Sequence, residues 1–150
     1  MRLTRYTDFA LRVLLYLGRE PGQMASIPEM ARAYGVSQNH LMKVVSDLVG
    51  AGYLVSLRGR HGGIRLARPP AEIFIGPLVR HTETDFDLVE CGSCLIAPAC
   101  GLSSMFDEAL EAFLAVLDGF TLAEALDRKG DFSHLLNPVI GSGSGSSPRA

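Results

Sequence analysis

The three cysteines of this chain, Cys91, Cys94 and Cys100, fall within a single short stretch, Glu90-Cys91-Gly92-Ser93-Cys94-Leu95-Ile96-Ala97-Pro98-Ala99-Cys100-Gly101. Their C-x₂-C-x₅-C spacing admits three chemistries. A disulfide with one spare thiol suits a secreted chain. A reactive thiol needs a cationic setting to lower its pKa, and the approach here is acidic, through Glu83, Asp85, Asp87 and Glu90. Metal binding is the third, because thiolates are soft ligands for zinc, copper(I) and iron–sulfur clusters. Glycine, serine and proline keep the stretch out of regular structure, as a loop that wraps a ligand must be. Three thiols fall one short of a four-ligand set, so the fourth ligand has to come from elsewhere.

The composition sets the frame. At 150 residues and 47% hydrophobic, the chain is expected to form one domain with a real core, or one domain with an appended element. Arg2, Arg5, Asp8 and Arg12 interrupt its first residues, and no apolar run reaches the roughly 18 residues of a membrane span. We expect a cytoplasmic protein without membrane contact, where thiols stay reduced. The net charge of −2 hides an asymmetry. Through Arg68 there are ten Lys/Arg against four Asp/Glu, and from Pro69 onward four against twelve. Such a split predicts that the first half alone meets a polyanion. No Ser-His-Asp arrangement, GxGxxG or carboxylate pair argues for catalysis, so an enzyme is not expected.

Residues 4–18 carry Tyr6, Phe9/Ala10, Val13/Leu14 and Leu17 at helical spacing, with Gly18 as a stop. Asp8 and Arg12 lie one turn apart on this helix, a natural exposed pair. Ser26-Ile27-Pro28-Glu29 is a capping box opening a short helix to about Tyr34. Gly35 closes it and Ser37 caps the next, whose buried stripe is Leu41, Val44/Val45 and Leu48. The leading edge of that helix carries Gln38, Asn39, His40 and Lys43, the residue types that read base edges in a major groove. This is a helix-turn-helix pattern. Two strand-like runs follow, Tyr53–Leu57 and Ile64–Ala67, around the glycine-rich tip Arg58-Gly59-Arg60-His61-Gly62-Gly63. A basic hairpin in this position is a wing, with Arg58, Arg60, His61 and Arg65 suited to phosphates or a narrow minor groove.

Gly76-Pro77 is expected to open a short helix over Leu78, Val79 and Arg80 before the cysteine loop. Beyond Cys100, Leu102, Met105/Phe106, Ala109/Leu110, Phe113 and Val116/Leu117 form one apolar stripe over nearly five turns. A stripe so wide predicts a partner, and a second copy of the chain is the economical one. The fold class expected is mainly α with a small β wing: a winged helix-turn-helix plus a long dimerisation helix. Its parts are a winged helix-turn-helix over 1–80 with the wing at 53–68, and a cysteine loop over 81–101. A long helix over 102–118, a short C-terminal helix within 119–137 and a disordered tail over 138–150 complete it.

Taken together, LTRYTDFALRVLLYL, SIPEMARAYGVSQNHLMKVVSDLVGAGYLVSLRGRHGGIRLAR and the three-cysteine loop ahead of a long helix resemble the winged-helix iron–sulfur repressors, the family that contains IscR and NsrR. The resemblance runs to about residue 137. It implies a homodimer with crossed long helices, a near-palindromic double-stranded DNA operator and one iron–sulfur cluster per subunit, 4Fe–4S with 2Fe–2S as the alternative. By position, Cys91, Cys94 and Cys100 correspond to the thiolate ligands. In the nitric-oxide-sensing branch the fourth ligand is a carboxylate from the first helix of the other subunit, and Asp8 stands at the matching place. Other members use a histidine shortly after the third cysteine; GLSSMFDEAL contains none. Ser26 and Ser37, at the starts of the two helices of the helix-turn-helix pattern, are expected among the DNA-facing residues as well. The resemblance implies a repressor that releases operator DNA, and with it genes for nitric-oxide detoxification, when nitric oxide attacks the cluster. Two alternatives stay open: a regulator of the same fold reading iron–sulfur status or redox state, and a winged helix with structural zinc on the three cysteines plus a carboxylate or His81.

Overall fold

Thr4 starts the fold. Its side chain accepts the Thr7 N–H and so caps α1 (Arg5–Gly18), in a computed structural model that describes residues 2–128 and 133–136. Thr7, Ala10, Val13, Leu14, Tyr16 and Leu17 form the buried face of α1. Gly18, expected as a stop, has a packing role as well: a Cβ there would stand 3.0 Å from Leu126 Cδ1.

In α2 (Ile27–Tyr34), Ser26 and Glu29 close the expected capping box reciprocally, at 3.3 and 3.4 Å. Gly35 ends the helix at φ 62°, a left-handed conformation that glycine adopts without a Cβ penalty. Ser37 then occupies the N-cap of α3 (Gln38–Gly50), without a side-chain cap hydrogen bond. Leu41, Val44, Val45 and Leu48 are buried, as the spacing predicts. Full burial of each such side chain stabilises the fold by roughly 1.5–3 kcal/mol.

The wing is an antiparallel hairpin of β1 (Leu54–Leu57) and β2 (Gly63–Leu66), in register from Leu54 opposite Leu66 to Leu57 opposite Gly63. An isolated hairpin is marginally stable. This one is pinned along β2, where Ala25 and Ile64 exchange backbone hydrogen bonds at 3.0 and 2.8 Å, and Leu54 and Ile64 enter the core.

The next helix is longer than its sequence signal. α4 (Ile75–Thr82) takes Gly76 and Pro77 into its first turn, where a missing N–H carries no penalty. Gly76 is required there by contact: a Cβ would collide with the Asp118 carboxylate and lie 2.7 Å from its backbone nitrogen. Arg80 Nη2 donates to Asp118 Oδ2 at 2.9 Å, fastening α4 to the end of α5 (Leu102–Asp118). Between the two helices runs the cysteine loop. α6 (Leu122–Asp127) opens on a second capping box, Thr121 with Glu124, and returns to α1. A final short turn of helix, α7 (Ser133–Leu136), sends Leu136 against the core. The expected tail over 138–150 lies outside the described residues.

The stripe expected on α5 stays open in the single chain. Leu102, Met105, Phe106 and Val116 are exposed, and the helix buries Leu114 instead. Among the described residues no helix is long and apolar enough to cross a membrane.

All four tyrosines of the chain titrate above their usual range. Burial, then Asp47, pushes Tyr6 up to about 12. Burial does the same for Tyr34, also to about 12, and raises Tyr16 and Tyr53. The unfolded chain ionises its tyrosines near pH 10 and the folded chain later, so the unfolded state releases protons first. This contribution to stability is therefore complete below about pH 10 and lost as pH rises through about 12. With no tryptophan in the chain, near-ultraviolet tyrosinate absorbance should rise late and together with loss of helical circular dichroism.

Candidate nucleic-acid interface and metal centre

With Leu41, Val44, Val45 and Leu48 held in the core, α3 turns Gln38, Asn39, His40 and Lys43 to solvent, and Met42 and Ser46 with them. His40 is exposed, yet its ring stacks on Phe9 of α1, with centroids 6.3 Å apart and planes 25° apart. The wing tip carries Arg58, Arg60 and His61, all exposed, and Arg65 is exposed on β2. Its turn depends on two glycines. Gly59 sits at φ 105° and its carbonyl accepts the Gly62 N–H at 2.9 Å. A Cβ on Gly62 would strike the Leu57 carbonyl oxygen and stand 2.9 Å from Arg58 C. Ser26 is exposed and its oxygen is engaged in the capping box, which leaves its hydroxyl hydrogen to donate outward. Helix edge and wing tip are both exposed, and both belong to the basic half of the chain.

The cysteine loop is a run of tight turns. Cys94 N–H donates to Cys91 O at 3.2 Å, Ala97 N–H to Cys94 O at 3.2 Å, and Cys100 N–H to Ala97 O at 3.3 Å. Only Ala97–Ala99 among these turns is a 3₁₀ helix, and Cys100 follows it in extended backbone. All three thiols are free; Cys94 is exposed, Cys91 and Cys100 half-buried. Local desolvation raises the Cys91 thiol above its ordinary range, reinforced by the neighbouring Cys94, Cys100, Asp107 and Asp87. A setting that opposes thiolate charge argues against a nucleophile and is one that a bound cation relieves.

Asp8 stands apart from the thiols within one chain. Arg12 donates to its carboxylate from Nε at 3.1 Å and pairs through Nη2 at 3.0 Å, as the i,i+4 spacing predicts. Among the described residues, no three His, Cys, Asp or Glu side chains gather into a metal-ion site. His81, the other potential ligand, turns away from the cysteines to Asp47, with Nε2 2.9 Å from Oδ2.

The family model described as Rrf2, iron-dependent transcriptional regulator, matches residues 3–128. The chain belongs to the Rrf2 family. It is 49% identical over 142 residues to the HTH-type transcriptional regulator NsrR of Bacillus subtilis (strain 168), covering 91% of this chain and 97% of that one. A crystal structure of a transcriptional regulator from Listeria innocua superposes with a TM-score of 0.74 at 27% identity, covering 87% of this chain and 90% of that one. The structure titled T. potens IscR shares the fold, with a TM-score of 0.69 at 22% identity over 91% of this chain and 97% of that one. This Rrf2 chain is therefore a transcriptional regulator of the winged-helix type.

Two side chains of the Rrf2 unit were not legible as connectors in the sequence. Glu83, one of the acidic residues before the loop, is buried and accepts from Thr4 N at 2.7 Å and Thr4 Oγ1 at 3.1 Å. His81, which the sequence offers only as an alternative zinc ligand, ties α4 to α3. Both partners are remote in sequence, and no local pattern signals them.

Proposed function

We propose that this Rrf2 regulator is a homodimeric repressor of a near-palindromic operator. Cys91, Cys94 and Cys100, with Asp8 of a second copy, would hold an iron–sulfur cluster of the 4Fe–4S type that makes DNA binding responsive to nitric oxide. The observation that carries this is three free thiols, one exposed and two half-buried, on one short loop of successive tight turns. The donor set fits the group: soft, reduced and one ligand short. The names of the NsrR relatives support the branch.

When bound, the cluster supplies an iron whose oxygen ligand is harder and more exchangeable than thiolate, the point open to nitric oxide. The chain's own residues do the rest. Asp8 leaves Arg12 without great cost, since an exposed i,i+4 pair contributes about 0.3–0.5 kcal/mol. Beside Asp8 in sequence, Phe9 lies against His40 at the leading edge of α3, so what holds Asp8 also bears on the recognition helix. The exposed stripe of α5 is the surface that a second copy would cover. Both recognition helices must then dock about 34 Å apart, and a small change in that spacing weakens binding.

Protein purified without oxygen should contain about four irons and four sulfides per chain and absorb broadly near about 400 nm. Nitric oxide should weaken its binding to a duplex selected from a random pool by roughly 5- to 150-fold. Colourless protein with stoichiometric zinc overturns the sensor. Asp8→Ala should keep iron and sulfide and lose most of the response to nitric oxide; a parental response would remove Asp8 from the mechanism.

A further inference from the structure

Where the chain leaves the winged helix for the cysteine loop, three consecutive side chains bind the DNA-binding unit, two of them at the start of α1 and one on α3. Glu83 accepts from the N-cap residue of α1, Thr4, at 2.7 and 3.1 Å. Thr82 Oγ1 accepts from Thr7 Oγ1 at 2.9 Å and donates to Leu78 O at 3.0 Å within its own helix. His81 Nε2 meets Asp47 Oδ2 of α3 at 2.9 Å. Thr82 and Glu83 are buried, so they lock α4 to α1 as part of the core. The His81–Asp47 pair differs. It is about one-third exposed on both sides, and α3 otherwise packs on α1, α2 and β1.

Asp47 is well placed to act on the DNA-facing edge. It follows His40 by seven residues and Lys43 by four, which puts all three on one stripe of α3. A sideways displacement at Asp47 turns that stripe about the buried Leu41 and Val44. The surroundings hold the link in place: the Tyr53 ring lies 6.2 Å from the His81 ring, and Arg68 covers Tyr53 at 5.0 Å. Tyr6 faces Asp47 from α1.

We infer that His81, paired with Asp47, is a positioning residue through which the state of the cysteine loop sets the pose of the recognition helix. The inference rests on the proposed sensing function. It adds a direct route from the root of the loop to α3, separate from the one through Asp8.

The test measures affinity for the selected duplex with cluster-loaded and cluster-free protein, for the parent, His81→Ala and His81→Gln. Iron and sulfide content should be the same in all three. In His81→Ala the ratio of the two affinities should shrink by about 2- to 5-fold, the range of a partly exposed pair. His81→Gln, which keeps a donor for Asp47, should restore the parental ratio and also guards against a misfolded alanine variant. Amide exchange gives a readout without DNA: cluster removal should change protection across residues 38–50 in the parent and much less in His81→Ala. Equal weakening of both forms, with the ratio and the exchange response intact, makes His81 merely structural and overturns the inference. A parent whose two forms bind alike overturns the sensing function itself, and this inference with it.

Discussion

Cys94→Ala should purify as a folded protein without iron or sulfide, and should bind the selected duplex as the cluster-free parent does. Folding survives because Cys94 is exposed and takes part in the turns through its backbone, whose hydrogen bonds alanine keeps. Exposed substitutions of this kind change stability by about 0.5 kcal/mol or less. Metal retention is another matter. Two thiolates and one carboxylate cannot replace three thiolates and one carboxylate around a soft cluster, so the loss should be complete. The expected change in operator affinity equals the whole coupling between cluster and DNA, roughly 5- to 150-fold. A variant that keeps full iron and sulfide would remove Cys94 from the ligand set. One that loses metal and unfolds would point to a structural site, because such sites contribute folding energy directly.

That prediction draws on information present in the cysteine spacing, and much of the fold is legible for the same reason: the signals are local. The Ser26–Glu29 box, Gly35 and the apolar spacing of α3 each act within a few residues, and each element stands where they put it. The Asp8–Arg12 pair is likewise one turn long. What escaped is long-range. α4 begins at Ile75, ahead of Gly76-Pro77, where the Ile75 N–H donates to Phe120 O at 2.9 Å beyond the far end of α5. Glu83 reads as one acid among several until Thr4, 79 residues away, is folded onto it. On α5 the periodicity finds the apolar stripe, while docking against α4 selects the flanking Leu114. Sequence shows which face is apolar; only packing shows which neighbour covers it.

The second large effect concerns charge. Replacing Arg58 and Arg60 together by alanine should leave folding untouched, since both side chains are exposed at the wing tip and the hairpin is held through β2 by the backbone bonds of Ala25 and Ile64. DNA binding should fall steeply. Each phosphate contact releases about 0.9 counterion, so a homodimer that loses two arginines from each subunit lowers the slope of log affinity against log salt by about 3.6. At about 0.15 M salt this corresponds to roughly 900-fold weaker binding, and the difference fades toward about 1 M. The loss should be nearly the same for selected and unrelated duplexes, because phosphates carry no sequence. Asn39→Ala should behave in the opposite way, with the slope kept and discrimination at one base pair reduced by about 1–3 kcal/mol. If the double arginine variant binds with the parental slope, the wing does not touch the backbone. The excess of basic residues in the first half of the chain would then have to act through α3, where Lys43 is the one cation on the exposed leading edge. The two copies of this lysine in a homodimer support a slope of about 1.8, so a parental slope near 4 or more would already require cations beyond it.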